Sequence, residues 1–248
     1  MRGLFLLAVS GLWLGLVPLS AVRGDDYPTL KPLIERGIAS AGGREILTKR
    51  NVQVLRYMTT VTVGGLERAL PGRAVRHVGK RIRVEVEKLV TIGYDGKQGW
   101  AVANGMVADL LDEQLRQITG QIRADALTTL VPLGNDQFRL KNLGESRVDD
   151  RSVVGFRIEQ EGERSVELYL DQETGLVVRR LTEAPSLQEP GKLTKEETLY
   201  RDYKRMDGIL TPTDIETRQN GKVIQRLKVS EAKYLEQIDD AEFRRPAA

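Results

Sequence analysis

The chain has 248 residues, with 38 Lys+Arg against 35 Asp+Glu, a single His and no Cys. A charged fraction of 29% that nearly balances leaves no basic stripe for nucleic acid, and the lack of cysteine excludes disulfide staples, thiol chemistry and a lipidated cysteine anchor. The fold must therefore rest on its hydrophobic core, for which a chain of this length is sufficient.

Residues 1–24 have the composition of a signal peptide: Arg2, an apolar stretch from Leu4 to Leu19, and small residues near Val22-Arg23-Gly24. A cut after Gly24 removes two of the basic residues and leaves 36 against 35 acidic ones, a nearly neutral protein. The alternative is a retained anchor helix, but the apolar stretch is shorter than the ~20 residues that a membrane span needs. The expected location is periplasmic or secreted, and residues 25–248 are expected to form one domain.

In chain order, Leu30 to Ala41 is predicted helical, with Leu30, Leu33, Ile34, Ile38 and Ala41 on one stripe, Thr29 as N-cap and Pro32 in the first turn. Gly42-Gly43 ends it as a C-cap and turn, and a short helix from Arg44 to Arg50 follows. From Val54 the period becomes two. Leu55, Tyr57, Thr59, Val61 and Val63 share one face, and Gly64-Gly65 turns the chain. Leu66 to His77 is a weaker strand, expected to break at Pro71-Gly72. Arg81 to Leu89 alternates Ile82, Val84 and Val86 with Arg81, Arg83, Glu85 and Glu87, the charged side facing water. A hairpin about Asp95-Gly96 carries Tyr94 and Trp100.

Asp109 to Leu130 is predicted as one long amphipathic helix with Leu111, Leu115, Ile118, Ile122 and Ala126 as its stripe. It either braces the core or serves as a movable lid. Gly120 at its centre costs about 1 kcal/mol relative to Ala, which suits a moving part, unless the glycine permits close packing on a strand. Further strands contain Val154, Phe156 and Ile158; Val166, Leu168 and Leu170; and Leu176 to Leu181 beyond the turn Asp171–Gly175. Ala184 to Thr194 reads as a solvent loop. Three alternating segments close the chain, joined at Asp207-Gly208 and at Asn220-Gly221, the latter a strong hairpin signal.

Catalytic candidates are sparse. His77 stands alone, so no histidine pair for zinc and no HExxH occurs, and the pairs Asp149-Asp150 and Asp239-Asp240 sit in turn-like contexts where carboxylates cap or are solvated. No enzyme activity, cofactor or metal site is expected.

Several phrases resemble the LolA-like family of outer-membrane lipoprotein-sorting proteins: SAGGREILTKRNVQVLRYMTTVTVGG near the start, YDG.QGW, LYLDQETGLVVRR, and DYKRMDGILTPTDIETRQNGKVIQRLKVSEAKYLEQIDDAEFRRP from Asp202 to Pro246. The resemblance implies a mainly β fold: a curved antiparallel sheet forming an incomplete barrel, with helices over its apolar concave face. It further implies a cavity for lipid or lipoprotein acyl chains, with envelope membrane proteins as partners and no nucleic acid; the chain is expected to be monomeric. Expected cavity residues are Leu55, Tyr57, Val61, Val84, Val86, Leu111, Leu115, Ile118, Ile122, Phe156 and Leu168. The long charged loop expected at Gln188 to Glu197 departs from the carriers, and no residue matches their lid-locking arginine. The alternative function is an interaction or signal-sensing module whose cavity is filled by its own side chains.

Overall fold

The computed structural model describes residues 25–63, 66–186, 189 and 191–247, with no side-chain description at 61–63 and 66. The leader and the Gly64-Gly65 turn lie outside the described residues. The alternating segments form thirteen strands of one sheet: β1 (Val52–Val63), β2 (Leu66–His77), β3 (Arg81–Val86), β4 (Val90–Tyr94), β5 (Gly99–Ala103), β6 (Met106–Asp109), β7 (Arg139–Val148), β8 (Arg151–Glu159), β9 (Val166–Asp171), β10 (Val177–Pro185), β11 (Leu193–Met206), β12 (Ile209–Gln219) and β13 (Lys222–Leu235). Their order is β6-β5-β4-β3-β2-β1-β13-β12-β11-β10-β9-β8-β7, and the pairing is antiparallel throughout. Consecutive strands pair except β6 and β7, and the seam between β1 and β13 joins the two runs. The sheet stays open, with β6 and β7 as its two edges.

The chain passes from one edge to the other through α3 (Asp112–Leu127) and a short 3-10 turn at Val131–Gly134. Asp125 of α3 meets Arg76 on β2 and Arg180 on β10, so this helix spans the two wings of the sheet on their concave side. The same side carries α1 (Tyr27–Ala41) and α2 (Arg44–Lys49). α1 lies directly on the β9–β10 turn: a Cβ built on Gly37 would stand 2.2 Å from the carbonyl oxygen of Gly175. Arg36 and Ser40 donate to the carbonyls of Gln172 and Thr174 at 2.7 Å each, fixing the crossing. Leu30, Ile34 and Ile38 then bury against Phe156, Ile158, Leu168 and Leu170.

Six sequence expectations are corrected. β2 runs unbroken through Pro71-Gly72, because the missing Cβ of Gly72 makes room for the Tyr57 ring of the paired strand. α1 begins at Tyr27, two residues before Thr29, so Pro32 lies inside the helix. Its early start follows from Asp25 and Asp26, whose carboxylates accept from the N–H groups of Leu140 and Asn142 on the β7 edge at 3.0 and 2.8 Å. α2 ends at Lys49, with Arg50 as its C-cap. α3 begins at Asp112, because Asn104-Gly105, both at positive φ, forms a further hairpin that makes Met106–Asp109 a strand. The expected loop from Ala184 to Thr194 is ladder at both ends, pairing Ala184 with Thr194 and Pro185 with Leu193; residues 187, 188 and 190 lie outside the described residues. The charged face of β3 is half-buried, because the C-terminal turn Asp240–Phe243 crosses it. There Arg81 pairs with Asp240 at 2.6 Å and Trp100 donates to the carbonyl of Phe243 at 3.0 Å.

A candidate ligand cavity beneath helix α3

The concave face is built in levels, because residues paired across antiparallel strands share a face and alternate along each strand. Register places Ile82, Arg76, Gln53 and Tyr234 side by side across β3, β2, β1 and β13. One step along, Val84, Ala74, Leu55 and Ala232 form an apolar level. Two irregularities bring extra side chains inward. The ladder skips Ser230 of β13, so Val229 and Ala232 face the same way. Asp202 of β11 adopts a positive φ of 52° outside the ladder, its carbonyl accepting from Thr213 at 2.7 Å, and this turns both Tyr200 and Tyr203 inward. A bulge re-aims side chains that strict alternation would send outside.

Between these strands and α3 lies a cavity of about 140 Å³, walled by Leu55, Ile82, Ile122, Leu130, Ile209 and Ile215 on its apolar parts. Gln53, Arg76, Tyr200, Tyr203, Thr211 and Tyr234 supply the polar parts. A second, more open hollow shares Gly79, Ile122 and Ala126 with the first, so α3 stands between the two. At about 30 Å³ per water-sized group, the inner cavity holds roughly five groups of methylene size.

The polar wall is organised by one carboxylate. Asp125 accepts from Arg180, which is 2% exposed, and from Gln121 at 2.9 Å, and it ion-pairs with Arg76 at 3.6 Å. Burial alone would raise its pKa; Arg76 and Arg180 outweigh that and hold the carboxyl below the ordinary aspartate value. Arg180 is correspondingly raised, desolvation being overcome by Tyr200 and Asp125. Burial pushes the Tyr200 phenol up to about 12, and Tyr203, also raised by burial, donates to the Val177 carbonyl at 2.6 Å. Tyr234 and Thr211 share a hydroxyl contact at 2.6 Å. His77, next to Arg76 in β2, lies on the opposite face beside Arg81, with its Nδ1 3.1 Å from an Arg81 guanidinium nitrogen. Desolvation, then Lys80 and Arg81, lower its pKa, which disfavours a charged imidazole there. Among the described residues no group of three or more His, Cys, Asp or Glu comes together as a metal site.

Of the residues expected to line a cavity, Leu55 and Ile122 do so. Tyr57, Val84 and Val86 lie on the same strand face further along; Tyr57 and Val84 pack with Val229 and Ala232. Phe156 and Leu168 are inward but fully enclosed by the packed core under α1. Leu115 is half-buried beside Gly99 and Ile118 is half-buried. Leu111 is 73% exposed, because it is the N-cap of α3 and precedes the stripe. Val61 is in β1, and its side chain lies outside the described residues. Gly120 does not serve close packing, since a Cβ there would meet nothing within 4 Å. Sequence reasoning missed Arg76, Asp125, Tyr200, Tyr203, Thr211 and Tyr234. A usable signal existed for Asp125, an acid one turn from Gln121 and between Ile122 and Ala126 on the buried flank of the helix.

An open antiparallel sheet with helices across its concave side and a cavity between them is the LolA-like fold. No family model matches the sequence, and no curated protein does. Solved structures do match in fold. A LolA superfamily protein from Nitrosomonas europaea aligns with a TM-score of 0.57 at 15% identity, over 86% of this chain and 96% of its own. A putative outer membrane lipoprotein-sorting protein domain from Vibrio parahaemolyticus aligns with a TM-score of 0.54 at 10% identity, over 85% and 97%. A DUF1329 family protein from Desulfovibrio piger gives 0.57 at 13% identity, over 87% and 97%. At such identities the likeness concerns the fold.

Proposed function

We propose that the protein is an exported envelope protein that binds a single acyl chain of a lipid or lipoprotein in the cavity beneath α3, without a catalytic step. The observation that carries this reading is the unfilled space between Leu55, Ile82, Ile122 and Ile209, on a sheet whose other wing is fully packed. Roughly five enclosed methylenes at about 0.8 kcal/mol each would contribute about 4 kcal/mol before the costs of association are deducted. The signal-like residues 1–24 support export, and the lipoprotein-sorting name of one fold neighbour agrees with an acyl cargo. Delivery to a membrane protein would follow from the same reading. The alternative of a self-filled cavity describes the wing beneath α1 and leaves the space beneath α3 without an occupant.

The test is uptake of a fluorescent fatty-acid probe by the chain from residue 25 onward. Saturable binding is expected, and Ile122→Asp, checked for folding by circular dichroism, is expected to abolish it. A folded parent that takes up no probe, or an Ile122→Asp variant that binds as the parent does, overturns the reading.

A further inference from the structure

The proposed acyl cavity has a polar end with an arginine whose hydrogen-bonding capacity is unspent. Arg76 stands in the level formed by Ile82, Gln53 and Tyr234, one step from the apolar level of Ala74, Leu55 and Ala232. Its Nε is buried with no hydrogen-bond partner, and no described residue accepts from its guanidinium within hydrogen-bonding distance. Its ionic partner is Asp125 at 3.6 Å, too long for a hydrogen bond. A guanidinium carries five N–H donors, and a buried donor without an acceptor is destabilising. The Nε of Arg180 is likewise without a partner, but its terminal nitrogens are engaged: it donates to Asp125 and is 3.4 Å from Thr198 Oγ1.

The charge count points the same way. Two guanidiniums, Arg76 and Arg180, share one carboxylate, Asp125. Glu196 accepts from Gln219 at 3.2 Å and its charge acts on Arg180, beyond ion-pair distance. One further carboxylate at Arg76 would give that guanidinium a direct partner and take up its planar donor fork, which matches a carboxylate in bidentate fashion. A dianionic phosphate would instead crowd a second negative charge against Asp125. The cavity, roughly five methylene-sized groups by the same volume argument, encloses the part of the chain nearest the head.

Resting on the acyl-cavity reading, we infer that the preferred ligand is a single-chain carboxylate amphiphile, its chain against Leu55, Ile82 and Ile122 and its carboxylate on Arg76. The head thus reads the polar level and the tail the apolar one. This selects free fatty acids over acyl chains carried on neutral glycerol or amide groups.

The experiment is isothermal titration of the chain from residue 25 onward with dodecanoate, dodecan-1-ol and dodecyl phosphate at fixed ionic strength. Dodecanoate is expected to bind at least tenfold more tightly than dodecan-1-ol, and dodecyl phosphate no better than dodecanoate. Arg76→Gln is expected to bring the affinity for dodecanoate down to that for dodecan-1-ol measured in the same variant, and Arg76→Lys to retain part of the preference. If Arg76→Gln does not fold, the head preference of the parent and of Arg76→Lys decides. Equal binding of the acid and the alcohol by the parent, or a preference that survives in folded Arg76→Gln, overturns the inference and leaves the acyl cavity standing. Tighter binding of the phosphate overturns the choice of carboxylate. Binding of none of the three overturns the acyl cavity itself.

Discussion

Beneath α1, Phe156, Ile158, Leu168 and Leu170 are each 0% exposed and close against Leu30, Ile34 and Ile38. Beneath α3, the facing level of the opposite wing is Gln53, Arg76 and Tyr234, and the helix meets that wing through Asp125, while its Ala124 and Leu127 join the packed core of the first wing. Both wings are alternating antiparallel strands with one apolar face. They differ in what stands in front of that face: a helix crossing at glycine contact in one case, a helix propped on an ionic cluster in the other. A glycine crossing brings backbones together and removes space, whereas guanidiniums and phenols hold a helix at a distance and leave space behind.

The contrast is open to substitution. Asp125→Ala should cost most, about 3–5 kcal/mol, because it strands Arg180 at 2% exposure without its carboxylate. Phe156→Ala should cost about 3–5 kcal/mol in the packed wing, and Leu55→Ala on the cavity wall should fall at the low end of about 2–5 kcal/mol. Urea unfolding of the two variants side by side measures this, and equal losses would mean that the two wings are equally packed. Gly37→Ala should lose about 1–3 kcal/mol by overpacking the α1 crossing, with fatty-acid uptake unaffected, since the glycine contact lies with Gly175.

The ionic prop should also make the α3 wing acid-sensitive. The folded pKa of Asp125 lies below its unfolded value. Its contribution is therefore fully present above about pH 4, the unfolded aspartate range, and is lost as pH falls through the folded value. Hydrogen exchange in α3 should accelerate on acidification through that window before exchange in β8 and β9 does; simultaneous loss would argue against a separate prop. The smallest effect is a gain: Gly120→Ala should stabilise by up to about 1 kcal/mol, because a Cβ meets open space and the helix loses its weakest residue. A loss on calorimetric melting would mean that Gly120 is held in a conformation alanine resists.

The fold was legible because period-two stretches such as Ile82-Val84-Val86 and Val166-Leu168-Leu170 declare one face, and turns such as Asn220-Gly221 declare their own geometry. Asn104-Gly105 carried the same signal and was absorbed into the run-up to the helix, which is why Leu111 was placed in the stripe. The cavity was legible only in part. Periodicity identifies the face on which Leu55 and Phe156 lie, but whether a helix fills the space before it depends on Gly37 meeting Gly175, residues 138 positions apart by their numbers. Tyr203 was hidden for a different reason: one residue, Asp202, leaves the ladder and reverses its side. Nothing local in the sequence ties Arg76 and Arg180 to Asp125, because the three lie on separate elements, β2, β10 and α3.

The central claim, that the space beneath α3 holds an acyl chain, is tested most directly by native mass spectrometry of the protein purified from an envelope fraction. The expected spectrum shows the folded chain carrying one additional mass in the range of a single acyl chain or acylated lipid, and loss of that mass in a folded Ile122→Asp variant. A folded parent that appears only at its bare mass, and stays there after incubation with fatty acid, would contradict the claim.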